Sequence, residues 1–207
     1  GLFYQVDEEG RLFAQGEKGF QSPSSVFAGQ LPARVRDLLW WESQQTLLVL
    51  FEDGTIHSLD LSHTERGGIQ ITVRNSWKIE YDSAPRCLVE IPGTRCIVVA
   101  YGDFEFRAAS GVIPQNISTL DRPKRWGQDL LRDVCFLPSA QGGYIIDACG
   151  GVHPFGETPV RYEDLSDHSQ QKFHYWPDRD HARSISCSCD GRQIGYLDCF
   201  GGFHGLE

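Results

Sequence analysis

The chain has 207 residues, 40% hydrophobic and 23% charged, which is the make-up of an ordinary globular protein with room for one sizeable core or four to five small sheets. Its formal net charge is −9 and its pI is near 5.2, so neither nucleic acid nor an anionic membrane is expected as the main partner, since both need a basic face. No run approaches the 18 apolar residues a membrane-spanning helix requires, so no membrane insertion is expected.

Residues 1–16 read as a β hairpin, with alternating FYQV, a DEEG turn and RLFAQ. Residues 17–33 are rich in Gly, Ser and Pro and are expected to be a loop. Three strands follow in 35–42 and 46–60, and 69–82 reads as a fourth, outer strand kinked at Asn75-Ser76. Residues 84–108 supply three more strands. A polar loop spans 109–129, residues 131–155 repeat the three-strand unit, and 157–181 form a long loop rich in charge and histidine. Two or three strands close the chain. No segment holds a 3.6-residue period over three turns, so helix content is expected to be very low.

Four arginines each open a hydrophobic run: Arg36 (RDLLWW), Arg86 (RCLVEIPG), Arg132 (RDVCFLPS) and Arg183 (RSISCSCDG). Their spacings are 86 − 36 = 50, 132 − 86 = 46 and 183 − 132 = 51 residues. Each is followed by a second apolar run that ends in a turn (TLLVLFEDG, CIVVAYGD, GYIIDACGG, IGYLDCFGG) and by a short third run. Self-similarity at this period, with several short β runs per copy, has propeller-blade size. At the front of the chain, FYQVDEEGRLFAQG matches the second and third runs only, so five such hairpins accompany four first runs. The expected fold is therefore all-β, a single small β-propeller domain over 1–207 with repeats near 1–33, 34–83, 84–129, 130–180 and 181–207 and five blades. The alternative is four blades, the N-terminal hairpin supplying outer strands to the last one and leaving no free edge.

The stretch WGQDLLRDVCFLPS (126–139) followed by GGYIIDACGGVHPFGETP (142–159) resembles a repeat of bacterial β-propeller-like proteins that reads W-D-x-A-R, a short strand, then G-G-Y-x-L-D-x-x-G-G-x-H-P-F-G. The match is good over 126–156, fair over 176–205 and weak over 86–108, which lacks the Asp and His; in the first two copies only the hydrophobic frame survives. The resemblance implies a fold and no reaction.

Candidate sites follow from the repeat. If Arg36, Arg86, Arg132 and Arg183 head inner strands, they could ring a channel mouth and bind an anion, because guanidinium makes bidentate charge-assisted bonds. The competing reading pairs each Arg with an Asp or a backbone carbonyl of a neighbouring blade, and Asp129 and Asp180, three residues before Arg132 and Arg183, favour it. Trp126 and Trp176 precede two of these runs and could stack on sugar rings or pack between blades. Asp147 and Asp198 stand before Gly-Gly turns whose N–H groups a carboxylate can accept, a structural role; His153 and His204 follow those turns and are expected to hydrogen-bond. In the repeat Val99 and Leu50 fall opposite these aspartates, so a symmetric ring of acids is not expected.

The seven cysteines are odd in number and sit mostly in apolar runs, which predicts free thiols in a reducing compartment and favours the cytoplasm. Cys187 and Cys189 lack the partner pair that a metal would need, so neither a metal nor another cofactor is expected. The absence of Met and the Gly1 start suggest an excised piece, and Leu206-Glu207 reads as a vector scar. No nucleophile elbow, P-loop or HExxH motif occurs. The leading expectation is a non-catalytic binding module that presents a loop face to a protein or carbohydrate partner. The alternatives are a glycoside-acting hydrolase or lyase using acids near the axis, and a structural repeat segment of a larger protein.

Overall fold

The computed structural model describes residues 2–7, 9–16, 26–32, 34–63, 69–118, 129–160, 176 and 179–206. The chain is all-β; its described residues form a succession of five antiparallel sheets with the size and up-and-down order of propeller blades. By its contacts it divides into two compact units, Gly1–Tyr81 and Asp82–Glu207.

The first unit holds two sheets. One is β1 (Leu2–Val6), β2 (Arg11–Gly16) and β3 (Val26–Gln30). The N-terminal hairpin thus forms its own sheet with β3, which replaces the four-blade alternative. The third strand also corrects the expectation of a loop throughout 17–33: Val26-Phe27 pair with Ala14 and Phe13, a short β-prone run hidden among turn formers. The other sheet is β4 (Val35–Trp41), β5 (Thr46–Phe51), β6 (Thr55–His63) and β7 (Ile69–Lys78). The register of β7 slips opposite Ser58 and Leu59, so the irregularity falls at Arg74, one residue before the expected kink. Leu12, Leu47, Val49, Phe51 and Leu59 form this unit's core.

The second unit holds three sheets. They are β8 (Pro85–Glu90), β9 (Ile97–Tyr101) and β10 (Phe106–Ser110); β11 (Leu131–Phe136), β12 (Gly142–Asp147) and β13 (Val152–Gly156); and β14 (Ala182–Cys187), β15 (Ile194–Asp198) and β16 (Phe203–Leu206). A four-residue helix, α1 (Gln115–Ser118), follows β10. The middle strands β5, β9 and β12 are buried at every residue, which is why they read as unbroken apolar runs and not as alternating ones.

Two cores lie between successive sheets of this unit. Val98, Ala100 and Phe106 from one sheet meet Leu131, Val134 and Phe136 from the next. Ile146 and Val152 in turn meet Ala182, Ile185, Ile194 and Tyr196. The Tyr144 hydroxyl donates to the Gly191 carbonyl at 2.8 Å, tying β12 to the turn of the following sheet.

Gly143 is the tightest point of the middle strand: a Cβ there would run into the Cys135 carbonyl and the Phe155 ring. Gly143→Ala is expected to lower the unfolding free energy by about 1–3 kcal/mol through overpacking, measured by urea denaturation.

Candidate functional site

The four repeated arginines share one backbone feature. In each Arg-led strand the register shifts across the arginine: between Val35 and Asp37, Pro85 and Cys87, Leu131 and Asp133, and Ala182 and Ser184. Arg36, Arg86, Arg132 and Arg183 are therefore the extra residues of four β-bulges, a device that re-aims a side chain out of the sheet's alternation.

The bulges aim the guanidinium groups at carboxylates. Arg36 Nη2 lies 3.1 Å from Glu52 Oε1. Arg86 donates through Nε to Asp129 Oδ1 at 2.7 Å, and its Nη2 also meets Asp129. Arg132 clasps Asp180 at 2.8 and 3.0 Å and reaches back to the Asp129 carbonyl at 3.1 Å. Arg183 turns back to the same Asp180 at 2.7 Å. The result in the second unit is an alternating ladder, Arg86–Asp129, Arg132–Asp180–Arg183. Partial burial pushes the Asp180 carboxyl up, yet the hydrogen bonds and charges of Arg132 and Arg183 bring it below the ordinary carboxylate range. Gly102 makes room for the ladder, since a Cβ there would collide with the Asp129 carboxylate.

A backbone belt runs beside the ladder. Gly102 N–H donates to the Ala84 carbonyl at 2.9 Å, and the Gly102 carbonyl accepts from Leu130 and Leu131 at 2.9 and 3.0 Å. Ala148 repeats this, donating to Leu130 at 2.7 Å and accepting from His181 and Ala182 at 2.8 and 3.1 Å. Cys199 then donates to His181 at 2.7 Å.

The aspartates before the Gly-Gly turns are turn locks. Asp147 Oδ1 accepts from Cys149 and Gly151 N–H, both at 2.8 Å, while Oδ2 lies 2.8 Å from His153 Nε2. Asp198 does the same with Phe200 and Gly202, both at 2.8 Å, and with His204 Nε2 at 2.9 Å. The His204 bond, then the Gly202 and Phe200 amides, outweigh desolvation and hold the Asp198 carboxyl below its usual range.

The turn bonds also reset the alignment. Tyr101 N–H bonds the Glu105 carbonyl as Asp147 N–H bonds that of Gly151, so Tyr101 and Phe51 occupy the aspartate position, not Val99 and Leu50. Asp7 is a third copy, its Oδ1 accepting from Glu9 at 3.1 Å and Arg11 at 2.8 Å. His57 takes the place of His153, but it faces Phe51 edge-on at 4.8 Å, and among the described residues its buried Nδ1 has no hydrogen-bond partner. An alignment that insisted on the glycine of the turn would have found Asp7 and His57.

Trp126 lies outside the described residues. Trp176 is half-buried, with ring centroids 5.4 Å from His181, 6.2 Å from Tyr196 and 5.3 Å from His204. One acid escaped sequence reasoning: Asp133, after the bulge of Arg132, accepts from Val134 at 2.8 Å and from Ile185 in the next sheet at 2.9 Å. Burial pushes its carboxyl up against the lowering effect of those amides. The Arg-Asp dipeptide, present also at Arg36-Asp37, was the available signal. Among the described residues no group of three or more His, Cys, Asp or Glu is placed to hold a metal ion, and no helix is long and apolar enough to cross a membrane.

No family model and no curated protein matches the chain. Solved structures similar to it include the β-propeller domain of Myceliophteria thermophila Cps50 (Swd1), 8% identical over 96% of this chain and 59% of that one with a TM-score of 0.48. The C-terminal WD40 domain of Sif2 is 11% identical over 99% of this chain and 54% of that one, with a TM-score of 0.47. The chain spans little more than half the length of these two.

Arg132 has a side-chain exposure of 13% against 45% for Arg183. Urea denaturation of the single variants should separate them: Arg132→Ala costs about 1–3 kcal/mol because it strands partly buried acceptors, whereas Arg183→Ala stays within about 0.5 kcal/mol. The Asp198 lock sets a pH dependence. A carboxyl lowered on folding stabilises above its unfolded pKa, near 4, and loses that contribution as pH falls through its folded value. The gap in unfolding midpoint between wild type and Asp198→Asn is therefore expected to be full at pH 6 and to shrink on acidification below about pH 4.

Proposed function

We propose that the chain is a propeller-type interaction module without a catalytic centre, and that it docks a protein on the open face of its last sheet. The observation behind this reading is a break in the repeat. The cross-strand pairs Ala100–Phe106 and Ile146–Val152 are each buried under the following sheet, with exposures of 0% and 5%, and 0% and 6%. The third pair in the same position, Leu197–Phe203, is 43% and 68% exposed. Neighbouring Phe200 is 81% exposed.

The polar features of the joint are open at the same place. Arg86 and Arg132 each pair with an acid 43 and 48 residues further on, in the approach to the next sheet, while Arg183 pairs back on Asp180. The Cys199 carbonyl, counterpart of the Gly102 and Ala148 carbonyls, receives no N–H among the described residues. The surface thus offers branched and aromatic apolar side chains, a half-exposed guanidinium and a main-chain acceptor. It suits a partner presenting apolar side chains, a carboxylate and free main-chain N–H groups, which is a protein segment. A sugar platform is less well supported, because the Trp176 ring is taken up by contacts with three aromatic neighbours. The hydrolase reading is also less well supported, because Asp147 and Asp198 are committed to turn amides and histidines.

Placing a photo-crosslinking phenylalanine analogue at position 203 tests the reading, with a glycan array run in parallel. Protein adducts that vanish in Leu197→Asp and Arg183→Glu backgrounds of unchanged thermal stability are expected. Saturable glycan binding without such protein adducts would overturn it.

A further inference from the structure

The seven cysteines are all free, and their surroundings sort them. Cys87 and Cys96 are buried and Cys149 is half-buried. Burial pushes the Cys135 and Cys187 thiols up, as it does Cys96. Cys189 and Cys199 are exposed. Of these two, Cys199 alone has an imidazole beside it among the described residues: its Sγ lies 3.2 Å from His181 Nδ1.

The backbone belt creates this pairing. The first residue of each turn donates its N–H to the residue that leads into its own sheet's first strand, giving the pairs Glu52/Arg34, Gly102/Ala84, Ala148/Leu130 and Cys199/His181. Only the last puts a nucleophile against a base. Both backbones are fixed independently of the side chains, Cys199 by its bond to His181 O at 2.7 Å and His181 by its N–H to Ala148 O at 2.8 Å. The imidazole packs against Trp176, at 5.4 Å, and Phe200, at 5.2 Å. A nucleophile within hydrogen-bond reach of a base, with the base oriented by further groups, is the arrangement that activates a thiol. Phe200 adds an apolar shelf next to the thiol, open to solvent. The charged groups nearby are already matched: Asp180 by Arg132 and Arg183, and Asp198 by His204.

We infer that Cys199 is a covalent modification site, with His181 as its base, for low-molecular-weight disulfides. The Cys199 thiol passes its proton to His181 Nδ1, and the thiolate attacks one sulfur of the disulfide. The disulfide S–S bond breaks as a new one forms to Cys199 Sγ. The departing thiolate takes the proton from His181, so the protein gains a mixed disulfide and one thiol is released, with no net redox change. This inference is independent of the docking surface proposed above.

Cys189 is the comparator within the same folded molecule. The chain is treated with oxidised glutathione and, separately, with an aromatic disulfide, and adducts at the two cysteines are followed by tandem mass spectrometry of proteolytic peptides. At pH 7 Cys199 is expected to react about tenfold faster than Cys189, because a base within hydrogen-bond reach takes the thiol's proton as the sulfur attacks. His181→Gln should bring Cys199 to the rate of Cys189, with the circular dichroism spectrum unchanged. Equal rates at the two cysteines in the wild-type chain, or a Cys199 rate untouched in folded His181→Gln, would overturn the inference.

Discussion

The arrangement of the second unit depends on six main-chain groups. Ala84, Gly102, Leu130, Ala148, His181 and Cys199 pass hydrogen bonds along from sheet to sheet. Gly102 and Ala148 each donate into their own sheet and accept from the next, while Cys199, among the described residues, donates only. This pattern satisfies polar groups at sheet ends that would otherwise be left unpaired beside a core. It also sets the height at which each sheet meets its neighbour, and the rest follows. The bulged arginines come into reach of the acids at the next sheet's entry, and pairs such as Ile146–Val152 slide under the following strand.

Charge then reinforces what the main chain has positioned. The ladder of Arg86, Asp129, Arg132, Asp180 and Arg183 is half-exposed at its acids and mostly covered at Arg86 and Arg132. Its energetic weight lies less in attraction than in the penalty for removing one member and leaving covered partners unmatched. The turn locks work locally. An aspartate that collects two turn amides and one imidazole fixes the turn that carries the belt residue, so Asp198 holds Cys199 in place from one side as His181 does from the other.

Much of this was legible in the residues. The Arg-led runs, their spacing and the apolar middle strands carried the β class and the five-sheet order, because a buried strand and a repeat both write themselves directly into sequence. Asp129 and Asp180 were marked as arginine partners by their place three residues before one, but Arg86 and Arg132, which they hold most closely across the joint, lie 43 and 48 residues back. Other features were not. Strand β3 lies among glycines, serines and prolines, and its pairing with Phe13 and Ala14 is a long-range choice that local propensity does not encode. The position shared by Asp7, Phe51, Tyr101, Asp147 and Asp198 was obscured because chemically unlike side chains fill it; the main-chain turn defines it. The nearness of His181 to Cys199 was hidden because their pairing arises from the belt, eighteen residues apart and without a motif.

The joint between sheets has a direction. One side of each sheet brings N–H donors and an acid to it; the other brings a carbonyl and a bulged arginine. The last sheet ends on the carbonyl side, at Cys199 and Arg183. Two copies meeting there through a twofold axis would set acceptor against acceptor and guanidinium against guanidinium. A partner docked there, as proposed above, would therefore make a heterologous contact and bring a donor-rich, acidic complement.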